Sequence, residues 1–258
     1  MLTTTLNQGH KKWRNEKLLR GLYTATSGML TQTVKQDVIA NNIANVNTSG
    51  YKKNEVIQES FPSKLLSIME GTNIEQVGKL GTGVSIVDIA TNFEQGNLEK
   101  TDNPLDLALA NPNTYLSVET ESGVKYTRDG SLKINSSNKL VTSGGHPVLG
   151  SNGHITIEGE VRIDPSGDIC VGEEVIDKLA IYTLDNPQKI GDNLFESTNQ
   201  ALAENANLQI GYLEKSNVNI IKEMVSMISA VRSYEMCQKA IETQDNSLNT
   251  LINKVGQV

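Results

Sequence analysis

Apolar residues along this chain change their spacing twice. The positions Leu19, Leu22, Tyr23, Met29, Leu30, Val34, Val38 and Ile39 recur mostly three or four apart, which predicts a helix with one buried stripe. Ala25, Ser27 and Gly28 keep part of that stripe slim, so another backbone can approach closely, at a cost of about 1 kcal/mol for a glycine inside a helix. The helical period returns near the C-terminus in sharper form. Ile220, Met224, Met227, Val231, Tyr234, Gln238, Ile241, Asp245, Leu248, Ile252 and Val255 keep alternating steps of four and three, the spacing of a coiled-coil seam. Isolated Gln238 and Asp245 in such a seam favour register over stability. The last helix reads as one element from Leu213 onward, and its five heptads alone would span about 50 Å at a rise of about 1.5 Å per residue, more than a small domain covers, so partner helices are expected.

Between these helices the period shortens to that of strands. Segments 114–119, 124–127, 131–135, 139–142, 155–158, 161–164, 169–171 and 179–184 read as strands, with Asp129-Gly130, Gly144-Gly145, Asn152-Gly153 and Ser166-Gly167 as tight turns between them. Asparagine competes for local backbone hydrogen bonds, so Asn41 to Asn47 should end the first helix, and Asn47-Thr48-Ser49-Gly50 supplies a turn. The expected class is α+β: an all-β central domain enclosed by N- and C-terminal helices. The boundaries expected are 1–17, a disordered leader without hydrophobic period; 18–50, the first helix; 51–104, an extended or β connecting segment, β-rich between Gly71 and Gly96; 105–184, the β-domain; 185–212, a polar return connection; and 213–258, the last helix. A native start at Leu18 is also expected, because Trp13-Arg14 can be encoded as a sequence resembling a bacterial ribosome-binding site.

Composition narrows the function. The 258 residues are 37% apolar and only 4% aromatic, and the net charge of −7 does not favour nucleic acid or anionic membranes. Positive charge gathers at Lys11, Lys12, Arg14, Lys17 and Arg20, but no apolar run of signal-peptide or membrane-spanning length follows. Cys170 and Cys237 are single and far apart, which fits two apolar thiols better than a disulfide or zinc site.

Chemistry is sparse. Histidine occurs only at His10, His146 and His154, and there is no HExxH, phosphate-binding glycine loop, GxSxG elbow or CxxC. Ser143, His146 and Asp164 could be assembled on paper into a triad, but a chain of this size almost always permits such a choice. The acidic group Glu158, Glu160, Asp164, Glu173 and Glu174 lacks calcium-loop spacing and reads as a solvated face. No catalytic residue, cofactor or metal is expected.

Three stretches carry a resemblance. SGMLTQTVKQDVIANNIANVNTSGYKK (27–53) resembles the N-terminal signature of bacterial flagellar rod and hook proteins, and LEKSNVNIIKEMVSMISAVRSYEMCQKAIETQDNSLNTLI (213–252) resembles their C-terminal one. FEQGNLEKTDNPLDLALA (93–110) and KYTRDGSLKINSSNKLVTSGGHPVLGSNGHI (125–155) are similar to the central module of the rod proteins. One departure stands at Asn111-Pro112-Asn113-Thr114-Tyr115, where the family usually has Gly-x-Gly-Phe-Phe.

The resemblance implies an axial subunit of the flagellar basal body, exported unfolded through the flagellar type III apparatus without a cleaved signal peptide. Its terminal helices would pair in an axial coiled-coil layer, and its partners would be other copies and neighbouring rod or hook proteins, with no nucleic acid and no membrane insertion. The assembly residues expected are Leu22, Met29, Leu30, Val34 and Val38 on the first helix and Met224, Met227, Val231, Tyr234, Ile241, Leu248 and Ile252 on the last, with Asn41, Asn42, Asn45, Asn47 and Gly50 fixing the turn. Length favours a rod subunit over a hook subunit. The run from Ser60-Phe61-Pro62 to Leu66 and the departure at 111–115 favour the proximal over the distal rod. A hook-type subunit and a secreted non-catalytic binding module are the alternatives.

Overall fold

The structure, a computed structural model, describes the backbone of residues 2–61, 64–70, 73–80, 83–159, 161–172, 174–203 and 207–255, and the side chains of 20–61, 83–159, 161–172, 174–203, 207–250 and 252–253. Pro62, Glu160 and Glu173, and the side chains of Leu19 and Val255, lie outside the described residues. The chain forms two units: Met1–Asn41, Glu55–Ala90 and Ile221–Val258 make the first, Asn42–Asn54 and Thr91–Ile220 the second.

The first unit is built from two helices and a ribbon. Helix α1 spans Leu2–Ala44 and α2 spans Ile220–Val255. The leader expected to be disordered is therefore helical from Leu2. With no proline before Pro62, extending an existing helix needs no new nucleus, and that outweighs the missing hydrophobic period. Threonines 26, 31 and 33 are tolerated inside α1 because each hydroxyl donates to the carbonyl four residues back. The ribbon consists of β1 (Asn54–Ser60), β2 (Lys64–Glu70), β3 (Asn73–Leu80) and β4 (Val84–Thr91), with β1 pairing β4 and β2 pairing β3, so most of the expected extended or β connecting segment is paired strand.

The second unit holds the remaining strands. They are β5 (Leu98–Lys100), β6 (Leu107–Leu109), β7 (Thr114–Thr120), β8 (Gly123–Thr127), β9 (Leu132–Ile134), β10 (Leu140–Thr142), β11 (Leu149–Gly150), β12 (Gly153–His154), β13 (Val161–Ile163), β14 (Asp168–Val171), β15 (Glu174–Lys178), β16 (Ile181–Asp185), β17 (Gln188–Gly191), β18 (Leu194–Glu196), β19 (Asn199–Leu202), β20 (Leu208–Ile210) and β21 (Tyr212–Glu214). Six of them make one sheet in the order β17-β18-β8-β7-β16-β19, and β13-β14-β15 make another. The pairs β9–β10, β11–β12, β6–β20 and β5–β21 complete the unit.

Three expectations need correction. The return connection is not loop: β17 to β20 lie within it, and strands of only three or four residues are too short to show an alternating apolar signal. The last helix starts at Ile220 rather than Leu213, because Tyr212–Glu214 pairs with β5 and β-pairing outcompetes helix there. The expected strand 155–158 does not form as such. Ile155 and Ile157 are buried, but their backbones are held by Leu140 and Asn138, with Lys139–Thr156 as an isolated bridge.

Strand β7 shows why the core divides. It is buried on both faces, so successive side chains enter different clusters. Leu116 and Val118 point into a cluster with Leu132, Leu140, Ile169 and Ile181, whereas Tyr115 packs with Tyr126, Leu184 and Phe195 on the other side. The Tyr115 and Phe195 rings are tilted by 59° with centroids 5.3 Å apart, within the range of favourable aromatic pairs.

Candidate functional site

The expected assembly residues divide by exposure along each helix. On α1, Leu22, Met29, Val34 and Val38 are half-buried, Leu30 is exposed, and the buried positions among the described residues are Ala25, Thr31, Ile39 and Asn42. On α2, Met227, Tyr234, Ile241 and Leu248 are half-buried, whereas Met224, Val231 and Ile252 are exposed. The covered line on α2 runs through Met227, Ala230, Tyr234, Cys237, Ile241, Gln244 and Leu248. It shares every second position of the expected seam and is turned slightly around the helix for the rest.

Glycines explain that rotation. A Cβ on Gly28 would meet the Cys237 Sγ at 3.1 Å, and one on Gly21 would strike the Gln244 side chain. The two helices thus run antiparallel here, with small residues of α1 facing Cys237 and Gln244. The outer line of α2, with Ile221, Met224, Val225, Ile228 and Val231, is left exposed.

In the second unit the structure gathers charges that the sequence left scattered. Glu214 Oε1 accepts from the Lys52 ammonium at 2.7 Å and from the Gly96 amide at 3.0 Å. Its Oε2 accepts from Arg128 Nε and Nη2, both at 2.8 Å. The side chains of Lys52 and Arg128 are fully covered and that of Glu214 is 1% exposed, so these are buried ion pairs, tolerated only because every group is hydrogen-bonded. Two cations against one carboxylate leave a surplus of positive charge, which backbone oxygens offset. Lys52 also donates to the Glu94 carbonyl, and Arg128 donates to the carbonyls of Leu109, Asn111, Pro112 and Thr114. Burial lowers the Lys52 pKa, and Glu214 partly restores it.

The departure at Asn111–Tyr115 becomes intelligible here. Arg128 holds that loop through its carbonyl oxygens, contacts that do not themselves depend on which side chains stand there. The Arg128 guanidinium also lies 5.5 Å from the Tyr115 ring centre. Burial, only partly opposed by Arg128, pushes the Tyr115 hydroxyl up to about 12.

Asparagines tie down the surrounding backbone. Asn42 uses both ends of its amide on Asn54, donating to the carbonyl at 2.9 Å and accepting from the amide at 3.0 Å. Asn217 accepts from the Lys53 amide at 2.8 Å and donates to the carbonyls of Asn92 and Glu94. Of the expected turn residues, Asn42 and Gly50 are buried, Asn45 accepts from the Thr48 hydroxyl, and Asn41 and Asn47 are exposed. Gly50 has φ 67°, and a Cβ there would sit 2.5 Å from the Arg128 carbonyl. Lys189 lies beside this turn, its ammonium 3.6 Å from the Tyr51 ring centre and donating to the Lys52 carbonyl; burial pulls its pKa down to about 8.

Sequence reasoning missed Lys52, Arg128, Glu214 and Asn217 as a set. The signal was present in part, since each falls inside or next to a stretch that carried the resemblance, yet a lone charge in a polar stretch reads as solvated surface. The paper triad is not assembled: Ser143 donates to Asp129, and Asp164 pairs with Arg162. Among the described residues no group of His, Cys, Asp and Glu could hold a metal ion, and no helix is long and apolar enough to cross a membrane.

Comparison with known proteins follows the same three stretches. Residues 22–52 match the family described as flagella basal body rod protein, 111–171 the flagellar hook protein FlgE/F/G D1 domain, and 209–254 the flagellar basal body rod FlgEFG protein C-terminal. The chain is 36% identical to the flagellar basal-body rod protein FlgG of Borreliella burgdorferi, over 92% of this chain and 98% of the relative. It is 30% identical to the flagellar hook-basal body complex protein FlhO of Bacillus subtilis, over 93% and 100%, and 30% identical to the flagellar basal-body rod protein FlgF of Caulobacter vibrioides, over 92% and 98%. Matches of this identity across nearly the whole of each relative mean that the chain belongs to the flagellar basal-body rod protein family.

Proposed function

We propose that this protein is a structural subunit of the flagellar basal-body rod that polymerises through its terminal helices. The observation that carries the reading is the apolar line on α2 left uncovered in the single chain: Ile221 is 71% exposed, Val225 62% and Ile228 54%. Tyr23 and Leu30, seven residues apart and exposed on α1, give a second line of the same kind. Repeated head-to-tail contacts between such faces extend into a helical tube, with the helices packed as coiled coils in its inner layer.

The partners are further copies of the chain and neighbouring rod or hook proteins, together with the flagellar export apparatus that delivers the subunit without a cleaved signal peptide. Its place is the basal body, and its role is mechanical rather than catalytic. Within the rod, the Ser60-Phe61-Pro62 run and the 111–115 departure favour the proximal over the distal position.

Electron microscopy of basal bodies from an in-frame deletion strain tests this. Basal bodies truncated within the rod are the expected result. A complete rod lacking only a hook would assign a hook-type subunit instead, and intact filaments would overturn the reading.

A further inference from the structure

The three charges of the buried junction depend on one another unequally. Arg128 is served by carbonyl oxygens of Leu109, Asn111, Pro112 and Thr114, all from the end of β6, the start of β7 and the loop between them, so its site does not require either chain end. Glu214 needs Arg128, which gives one carboxylate oxygen two donors, and it keeps a further donor in the Gly96 amide. Lys52 sits at the end of the series. It is 0% exposed and is held by the Glu94 carbonyl and by Glu214, so without the carboxylate a buried ammonium would face one neutral oxygen.

The neighbouring backbone bonds point the same way. Gly50 donates to the Glu214 carbonyl at 2.7 Å and Lys53 to the Asn217 side chain, so the turn that carries Lys52 leans on the segment that carries Glu214. Lys189 and Asn193 add two side-chain bonds, to the carbonyls of Lys52 and Ser49, without supplying any negative charge.

We propose that Glu214 is a closure latch: strand β21 delivers its carboxylate to the Arg128 site, and only the filled site accepts Lys52 and fastens the turn at 50–54. Dependence runs one way, from Arg128 to Glu214 to Lys52. Lys52 precedes Glu214 by 162 residues, so the N-terminal turn stays unfastened until nearly all of the chain is present. This device holds whatever the terminal helices assemble into.

Hydrogen exchange on the full chain, read by mass spectrometry, tests the order of dependence. In Glu214→Gln, amides of 50–54 should exchange at least tenfold faster relative to the core of β7, β8 and β16 than they do in the wild type. In Lys52→Met, residues 98–100 and 212–214 should stay within twofold of their wild-type protection relative to the same core, because Glu214 keeps Arg128 and Gly96. Unchanged relative protection at 50–54 in Glu214→Gln, or relative loss at 98–100 and 212–214 in Lys52→Met, would overturn the proposal. If Glu214→Gln does not fold, the double variant Lys52→Met with Glu214→Gln decides. Recovery of the protected β-core supports the latch, and failure to recover sinks it.

Discussion

The Glu214 carboxylate lies 2.7 Å from the Lys52 ammonium, although 162 residues of chain separate them. That contact joins the two stretches that the family shares at its ends, and Arg128, from the central stretch, completes it. Removing one partner of such a buried group costs more than the pair contributes, because the other charge is left without compensation. Glu214→Ala should therefore lower the unfolding free energy by about 3–5 kcal/mol, read from urea denaturation. Lys52→Met, which leaves a balanced Arg128–Glu214 pair, should cost clearly less. Equal losses in both variants would contradict this account.

Gly50 is held at φ 67° with the Arg128 backbone against it. Alanine would meet about 1–2 kcal/mol of left-handed strain before the collision is counted. A thermal scan of Gly50→Ala should show a midpoint lower by at least about 2–4 °C per kcal/mol lost. An unchanged midpoint would mean that the turn adopts another path.

Lys189 supplies a pH test. Its folded pKa of about 8 lies below the ordinary 10.5, so between those values the unfolded chain binds the extra proton. The cost of burying the charged amine is fully present below about pH 8 and is relieved as pH rises toward 10.5. Relative to Lys189→Met, the wild type should gain stability between pH 8 and pH 10. A difference that is flat or falls over that range would show that the Tyr51 ring and the Lys52 carbonyl compensate the charge in full.

Along α2 the prediction separates folding from assembly. Ile221 and Ile228 are exposed, so Ile221→Lys and Ile228→Glu should each change the stability of the isolated chain by no more than about 0.5 kcal/mol. Both should abolish swimming in soft agar when they replace the chromosomal copy. Normal swimming by both variants would remove the outer line of α2 from the assembly surface.

Among the described residues, the buried amide oxygen of Gln244, which lies against Gly21, has no hydrogen-bond partner. An unsatisfied buried acceptor costs about 1–3 kcal/mol. Gln244→Met keeps the length of the side chain and removes the acceptor, so it should raise stability by about 1 kcal/mol in chemical denaturation. A loss of stability would mean that the amide is satisfied by solvent.

The helical ends were legible because their period is local: apolar residues three and four apart need no knowledge of the rest of the chain. Tight turns were legible for the same reason, since Asn152-Gly153 and Ser166-Gly167 state a backbone preference within two residues. Strands β17 to β21 were not, because short strands such as Asn199–Leu202 are stabilised by the neighbour they pair with, which for β19 is β16. The seam on α2 was half legible. Its apolar residues span more than one line along the helix, and the close approach at Gly21 and Gly28 selects which line is covered.

Sequence by itself thus determined the helical termini, the β-rich centre and, through three quoted stretches, the family. Tertiary structure alone decided that Lys52, Arg128 and Glu214 share one buried site. Each is an ordinary surface type in its local context, and their burial is tolerable only when three distant segments place opposite charges and backbone oxygens around one another.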